Sequence, residues 1–142
     1  MPIVPPQQIG DLVQVAPEIW RRTFVKGLFK FPTGEQREVG FFKTLVKPPA
    51  IIFAITANGN VAATRQYRLA AAQTMFELPG GNVREDETPE EVAARELEQE
   101  TGFRGTVKRL TSQPVWFLPD ALLTPFWPCL AQDCVKMNEP KP

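Results

Sequence analysis

Glu96 and Glu100 stand four residues apart, with Gln99 three residues after Glu96. On a helix, positions i, i+3 and i+4 share a face. The three side chains would therefore project together. Two carboxylates on one face repel each other unless a cation sits between them. Oxygen-only ligands of this kind suit Mg²⁺ or Mn²⁺. A solvated acidic helix face has the same composition, so the helix alone leaves both readings open. Glu98 cannot join the group, because it lies ~100° further round the helix from Gln99. Upstream, Gly80-Gly81 allows a sharp turn and a close approach of the backbone to a ligand. Glu87 stands in the loop between that pair and the helix.

The composition narrows the chemistry further. The chain has 142 residues, a length that suits one domain, and no histidine. Histidine-dependent nucleophilic triads, histidine proton shuttles and His-ligated zinc are excluded. The two cysteines, Cys129 and Cys134, are too few for a disulfide framework or a four-cysteine zinc site. They read as small buried residues or loop thiols. Lysine plus arginine and aspartate plus glutamate each number 16, and this balance argues against a general nucleic-acid binder. The balance hides an asymmetry. Between Gly81 and Glu100, eight acids face two arginines, whereas residues 1–76 carry nine bases and four acids. No stretch has the length and apolarity of a membrane-spanning helix. The N-terminus lacks the pattern of a signal peptide, so the expected location is cytoplasmic.

Several elements must position these residues. Trp20–Phe31 and Arg37–Val46 are rich in aromatic and β-branched residues and flank Pro32-Thr33-Gly34, which predicts an antiparallel hairpin. Ile51–Ala57 and Val61–Tyr67 flank Asn58-Gly59-Asn60, a second hairpin signal. Met75–Leu78 reads as a short strand. Thr88, Pro89 and Glu91 form a helix start with a capping box, and Gly102 supplies the stop. The helix is expected over Pro89–Thr101, with Ala93 and Leu97 as an apolar stripe facing a sheet, and Glu91 and Arg95 as an i,i+4 pair. Val107–Leu110, Val115–Phe117 and Phe126–Ala131 read as strands, Met1–Pro6 as an extended segment and Asn138–Pro142 as a frayed tail. Fifteen prolines argue against an all-helical fold. Strands around one central helix give an α+β domain.

The run from Gly81 through Glu87 and Arg95-Glu96-Leu97-Glu98-Gln99-Glu100-Thr101-Gly102-Phe103 resembles the Nudix box. That pattern is Gly, five residues, Glu, seven residues, then Arg-Glu-apolar-any-Glu-Glu-any-Gly-apolar. Every specified position matches except Gln99, where the family has Glu. The resemblance implies an α/β/α Nudix-like sandwich, with a mixed β-sheet, a central Nudix helix and an N-terminal antiparallel sheet. It makes residues 1–142 one Nudix-like domain, with N-terminal strands over 1–47, expected to form a dimerisation sheet, and a Nudix core over 48–142.

The resemblance further implies metal-dependent hydrolysis of a diphosphate bond in a nucleoside diphosphate-linked small molecule, by attack of water on phosphorus. Glu96 and Glu100 become the main Mg²⁺ or Mn²⁺ ligands. The Gly80 carbonyl is added by likeness to relatives with a Leu-Pro-Ala-Gly run, and the Gln99 amide is a weaker candidate. Arg95 and Glu87 would pair to hold the loop against the helix.

Arg65-Gln66-Tyr67-Arg68 followed by Glu77-Leu78-Pro79-Gly80-Gly81 is similar to the ADP-ribose pyrophosphatase branch. Pro119, sixteen residues past Phe103, fits the same branch. The likeness makes Arg65, Arg68 and Pro119 substrate contacts, since guanidinium forks suit diphosphate oxygens. It also makes Trp20, Phe24 and Phe29 candidates for stacking on adenine, against their reading as core or dimer packing. Ser112-Gln113-Pro114-Val115-Trp116-Phe117 partly resembles NADH pyrophosphatases, so NADH and dinucleoside polyphosphates are alternative substrates. The branch implies a homodimer. Asp120, Asp133 and Glu139 are the acids downstream of the box, and none is assigned as general base. A Nudix-fold module that binds a nucleotide without turning it over is the alternative function. A structural dimerising domain is a third reading.

Overall fold

In a computed structural model, residues 4–19, 21–119 and 121–140 are described. Trp20 and Asp120, both singled out above, lie outside the described residues. The chain forms two compact units. The first contains the N-terminal strands up to Val46 together with Trp116–Thr124. The second contains Lys47–Val115 and the chain from Pro125 onward.

The first unit is an antiparallel sheet of β1 (Gln7–Gln14), β2 (Arg22–Lys30) and β3 (Gln36–Thr44), in that order. β2 and β3 form the hairpin expected around Pro32-Thr33-Gly34. Gly34 takes φ 87° at the turn, and its N–H donates to the Phe31 carbonyl. β1 was not anticipated from sequence. Gly10, at φ 71°, sits where the β1–β2 register shifts. Thr23, Val25 and Phe41 are buried. Phe29 meets Phe41 edge to face with ring centroids 5.8 Å apart, and Phe24 meets Phe42 at 5.3 Å. The segment 116–124 is tied to β3, with the Phe42 N–H donating to Ala121 O and the Leu123 N–H donating to Phe42 O.

The second unit is built on β4 (Ala50–Thr56), which runs parallel to β11 (Pro125–Lys136). β11 also pairs antiparallel with β9 (Phe103–Arg109). On its other side β4 pairs antiparallel with β5 (Val61–Ala62) and with β8 (Gly80–Gly81). β6 (Thr64–Arg68) and β7 (Gln73–Glu77) form a separate two-stranded hairpin. A two-residue strand, β10 (Val115–Trp116), stands where the chain passes from the second unit into the first. The architecture is α+β, with a mixed sheet, one helix among the described residues and a separate antiparallel sheet.

That helix, α1 (Pro89–Thr101), has the expected bounds. Thr88 and Glu91 form the capping box, and Gly102 closes the helix at φ 75°. The core alternates along β4: Ala50, Ile52 and Ala54 are fully buried and face Val92, Ala93 and Leu97 of the helix. Small residues on the strand let α1 sit close. Burying side chains the size of Ile52 and Leu97 contributes about 1.5–3 kcal/mol each. Cys129 and Cys134 are free thiols in the same core, and burial pushes the Cys129 thiol up to about 11.

Asn138, the first residue of the expected frayed tail, is hydrogen-bonded. The Met137 and Asn138 N–H groups both donate to the Gly102 carbonyl, and Asn138 Nδ2 donates to Glu98. The segment is held against the helix C-terminus. No helix among the described residues is long and apolar enough to cross a membrane.

Candidate active site

The site is assembled where β8 meets α1. A Cβ added at Gly80 would lie 2.6 Å from the Ala50 carbonyl oxygen, and one added at Gly81 would collide with the Glu96 carboxylate. Gly80 is therefore required by the close approach of the β4 backbone, whereas a side chain at Gly81 would displace the Glu96 carboxylate. Gly80 also donates its N–H to Glu100 Oε2 at 3.0 Å. Strand and helix are thus joined at the two carboxylates.

Arg95 organises the loop that precedes the helix. Its Nε and Nη2 donate to the two carboxylate oxygens of Glu87 at 2.9 and 3.1 Å, a bidentate pair. Its Nη1 donates to Glu96 Oε1 at 2.5 Å. One guanidinium thus anchors the loop and orients Glu96. Arg95 is not engaged with Glu91, whose carboxylate instead caps the helix by accepting from the Thr88 N–H and hydroxyl. Lys47 Nζ holds the loop from the other side, donating to the Arg84 and Glu85 carbonyls. Hydrogen bonding to Arg95 holds the Glu87 carboxyl below the usual carboxylate range.

Two clefts flank these residues. One, of about 640 Å³, is lined by Thr64, Arg65, Gln66, Glu96, Gln99 and Glu100, with Pro140. The helix face expected from the i, i+3, i+4 spacing therefore opens into a single cavity. The other, of about 340 Å³, contains Gln66, Arg68, Glu77, Gly80, Gly81 and Glu100 among its lining residues. Burial pushes the Glu100 carboxyl above its ordinary value; the Gly80 N–H lowers it, the Glu96 charge raises it, and Arg68 and Gln66 lower it. Such a pair of close carboxylates favours a cation between them.

The donor set fits a hard divalent ion. It comprises two carboxylates, one side-chain amide and strand carbonyls, all oxygen. Among the described residues no group of three or more His, Cys, Asp or Glu side chains could hold a metal. Neutral oxygens would complete the shell. Glu98 points elsewhere, accepting from Arg104 Nη2 at 2.7 Å.

Arg65 and Arg68 fall in different places. Arg65 lines the larger cleft with the helix face, and Arg68 the smaller. Arg68 forms a fork with Glu77: Nε donates to Oε1 at 2.7 Å, and Nη2 donates to Oε2. Sequence reading passed over Thr64, Gln66 and Glu77 as cleft residues. The period-two alternation of Thr64, Gln66 and Arg68 was the signal that could have found the first two. Phe24, Phe29 and Pro119 belong to the first unit. There Phe24 and Phe29 are engaged in the aromatic contacts given above. Asp133 sits at the register shift of β11 with φ 53°. Glu139 pairs with Lys136 at 2.9 Å. Neither acid lines the two clefts.

The NUDIX domain model matches residues 46–129. An ADP-ribose pyrophosphatase of Bacillus subtilis (strain 168) is 38% identical over 71 residues, covering 49% of this chain and 37% of that protein. A methanol dehydrogenase activator of Bacillus methanolicus is 33% identical over 63 residues, covering 43% of this chain and 34% of its own length. The chain thus spans little more than a third of these relatives. A crystal structure of an ADP compounds hydrolase superposes with a TM-score of 0.74 at 19% identity, covering 99% of this chain and 74% of that one. At that identity the likeness is one of fold.

Proposed function

The chain belongs to the NUDIX family, and from that premise we propose that it hydrolyses the diphosphate bond of ADP-ribose or a related nucleoside diphosphate-linked compound. The observation that carries this reading is the convergence of Glu96, Gln99 and Glu100 on one cleft, with Gly80 hydrogen-bonded to Glu100 behind them. The relative that acts on ADP-ribose supports the substrate class.

Glu96 and Glu100 would hold Mg²⁺ or Mn²⁺, with the Gly80 carbonyl and the Gln99 amide as neutral donors. When bound, the ion supplies charge neutralisation of the diphosphate and activation of water. The protein's own residues do the rest. Arg95 orients Glu96 and, through Glu87, fixes the loop. Arg65 lines the larger cleft with Glu96 and Glu100, Arg68 lines the smaller with Glu100, and both would bind diphosphate oxygens. Water attacks phosphorus, and the products are AMP and a phosphorylated remainder. Trp20, Phe24 and Pro119 are proposed to contact the rest of the substrate. The N-terminal sheet exposes Ile9, Val13 and Phe42, which supports a homodimer formed through it. The proposed location is cytoplasmic.

Gln99 favours one second reading. With an amide in place of a carboxylate, the shell carries less charge, which suits a module that binds a nucleotide without turnover. One assay separates the two. The protein is incubated with Mg²⁺ and ADP-ribose, NADH or a diadenosine polyphosphate, and AMP release is followed. Turnover of any of them supports the hydrolase. Tight binding without release supports the binding module.

A further inference from the structure

The Arg68–Glu77 fork stands outside the box and outside every role assigned above to Glu77. Its geometry is that of a guanidinium held flat: Nε and Nη2 are both committed to one carboxylate. An arginine carries five N–H donors, and Nη1 bonds no acceptor among the described residues. The same cleft contains Arg68, Glu77, Gly80, Gly81 and Glu100. Arg68 therefore shares one cleft with the carboxylate that grips it and with another that belongs to the proposed metal shell.

The pair is poorly explained as a source of stability. The Arg68 side chain is 50% exposed and that of Glu77 27%, and exposed ion pairs contribute little to folding. The hairpin that carries both is two strands wide and separate from the main sheet, so backbone pairing alone restrains it weakly. A free arginine in this cleft would sample many rotamers and would be drawn to the Glu100 carboxylate. A fork fixes its plane and keeps it off that group.

We propose that Glu77 is a positioning residue, which holds the Arg68 guanidinium in advance in the orientation that binds a diphosphate oxygen of the substrate. This rests on the hydrolase reading above. Arg68 makes the contact; Glu77 sets its angle and removes the ordering that binding would otherwise require. The ligand end of the site is thereby preorganised.

The test uses the full chain. Glu77→Gln keeps the shape and loses the charged fork. The expected result is a KM for ADP-ribose raised about tenfold, with kcat lowered less than threefold, the pattern of a lost ground-state and transition-state contact. Reversing the pair, Glu77→Arg with Arg68→Glu, restores an ion pair with the wrong sign toward phosphate. It should leave the melting temperature near that of wild type without recovering KM. A KM within twofold of wild type in Glu77→Gln, or a KM restored by the reversed pair, overturns the proposal. Calorimetric titration of ADP-ribose in EDTA separates this from failure of the hydrolase reading. If wild type binds but releases no AMP with Mg²⁺, the hydrolase reading fails, and the same variants are read on Kd with the same criteria. If wild type neither binds nor hydrolyses a diphosphate nucleotide, both are overturned.

Discussion

The Glu100 carboxylate accepts a hydrogen bond from the Gly80 backbone N–H at 3.0 Å. This bond links the strand end to the last turn of the helix and fixes one carboxylate oxygen. Glu100→Gln preserves the shape and the acceptor for Gly80 but removes the charge. Outer-shell partners of metal ligands already cost about 10–100-fold when mutated, so loss of a direct ligand should lower ADP-ribose turnover at least ~100-fold. Circular dichroism should show the fold intact. Full activity in the variant would remove Glu100 from the metal shell.

Gln99 faces the same cavity as Glu96 and Glu100, yet it brings no charge. Gln99→Glu should tighten Mg²⁺ binding several-fold, because the ligand charge count tunes affinity for hard cations. Isothermal titration with Mg²⁺ reads this directly. An unchanged affinity would place residue 99 outside the shell and would leave the amide as a wall of the cleft.

The residues that sequence reading placed well share a physical property: their signals are local. The capping box at Thr88 and Glu91, the stop at Gly102 and the i, i+3, i+4 carboxylate face need only one helix to be read. The β2–β3 hairpin is announced by Pro32-Thr33-Gly34. What sequence hid depended on unusual turns or distant partners. Val61–Tyr67 read as one strand, but the chain breaks at Ala63, and β6 leaves to pair with β7. The hairpin turn runs through Leu69, Ala70, Ala71 and Ala72, which contain no Gly, Pro, Asn or Asp. Ala72 turns the chain by adopting φ 51°, a conformation its type does not advertise. The Arg68–Glu77 fork follows from that hairpin and was hidden with it. The C-terminal segment read as frayed because its partner, the Gly102 carbonyl, lies more than thirty residues away.

The helix start is open to a stability test. Thr88→Ala removes the hydroxyl that accepts from the Glu91 N–H and should cost about 1 kcal/mol at neutral pH, measured by urea unfolding. Glu91 answers from the other side. The Thr88 backbone N–H first, and its hydroxyl second, hold the Glu91 carboxyl below its ordinary value. A lowered acid contributes stability above its unfolded-state value and loses it as pH falls through the lowered one. Glu91→Gln should therefore be less stable than wild type at pH 7, and the two should converge as pH falls below the glutamate range. A gap that stays constant with pH would remove the charged half of the capping box.

Leu97 is fully buried in the core beneath the site, on the helix turn between Glu96 and Glu100. Leu97→Ala should cost about 2–5 kcal/mol. Because this helix carries both proposed metal ligands, Mg²⁺ should stabilise wild type more than the variant in thermal melts. Equal stabilisation would show that the ligand geometry survives a void under the helix.

Ala72 closes the β6–β7 hairpin with φ 51° and is exposed. An L-residue other than glycine in this left-handed region costs roughly 1–2 kcal/mol, whereas replacing alanine with glycine costs about 0.4–1 kcal/mol through the freer unfolded chain. The first term is the larger, so Ala72→Gly should stabilise the protein by about 0.5–1 kcal/mol. The urea midpoint should rise with the slope unchanged. Hydrogen exchange at the β6–β7 amides should slow if the hairpin opens together with the rest of the unit, and the gain should then reach the Arg68–Glu77 fork that the hairpin carries. A lower midpoint would mean that the left-handed turn at residue 72 is not strained, and that the alanine run holds it by other contacts.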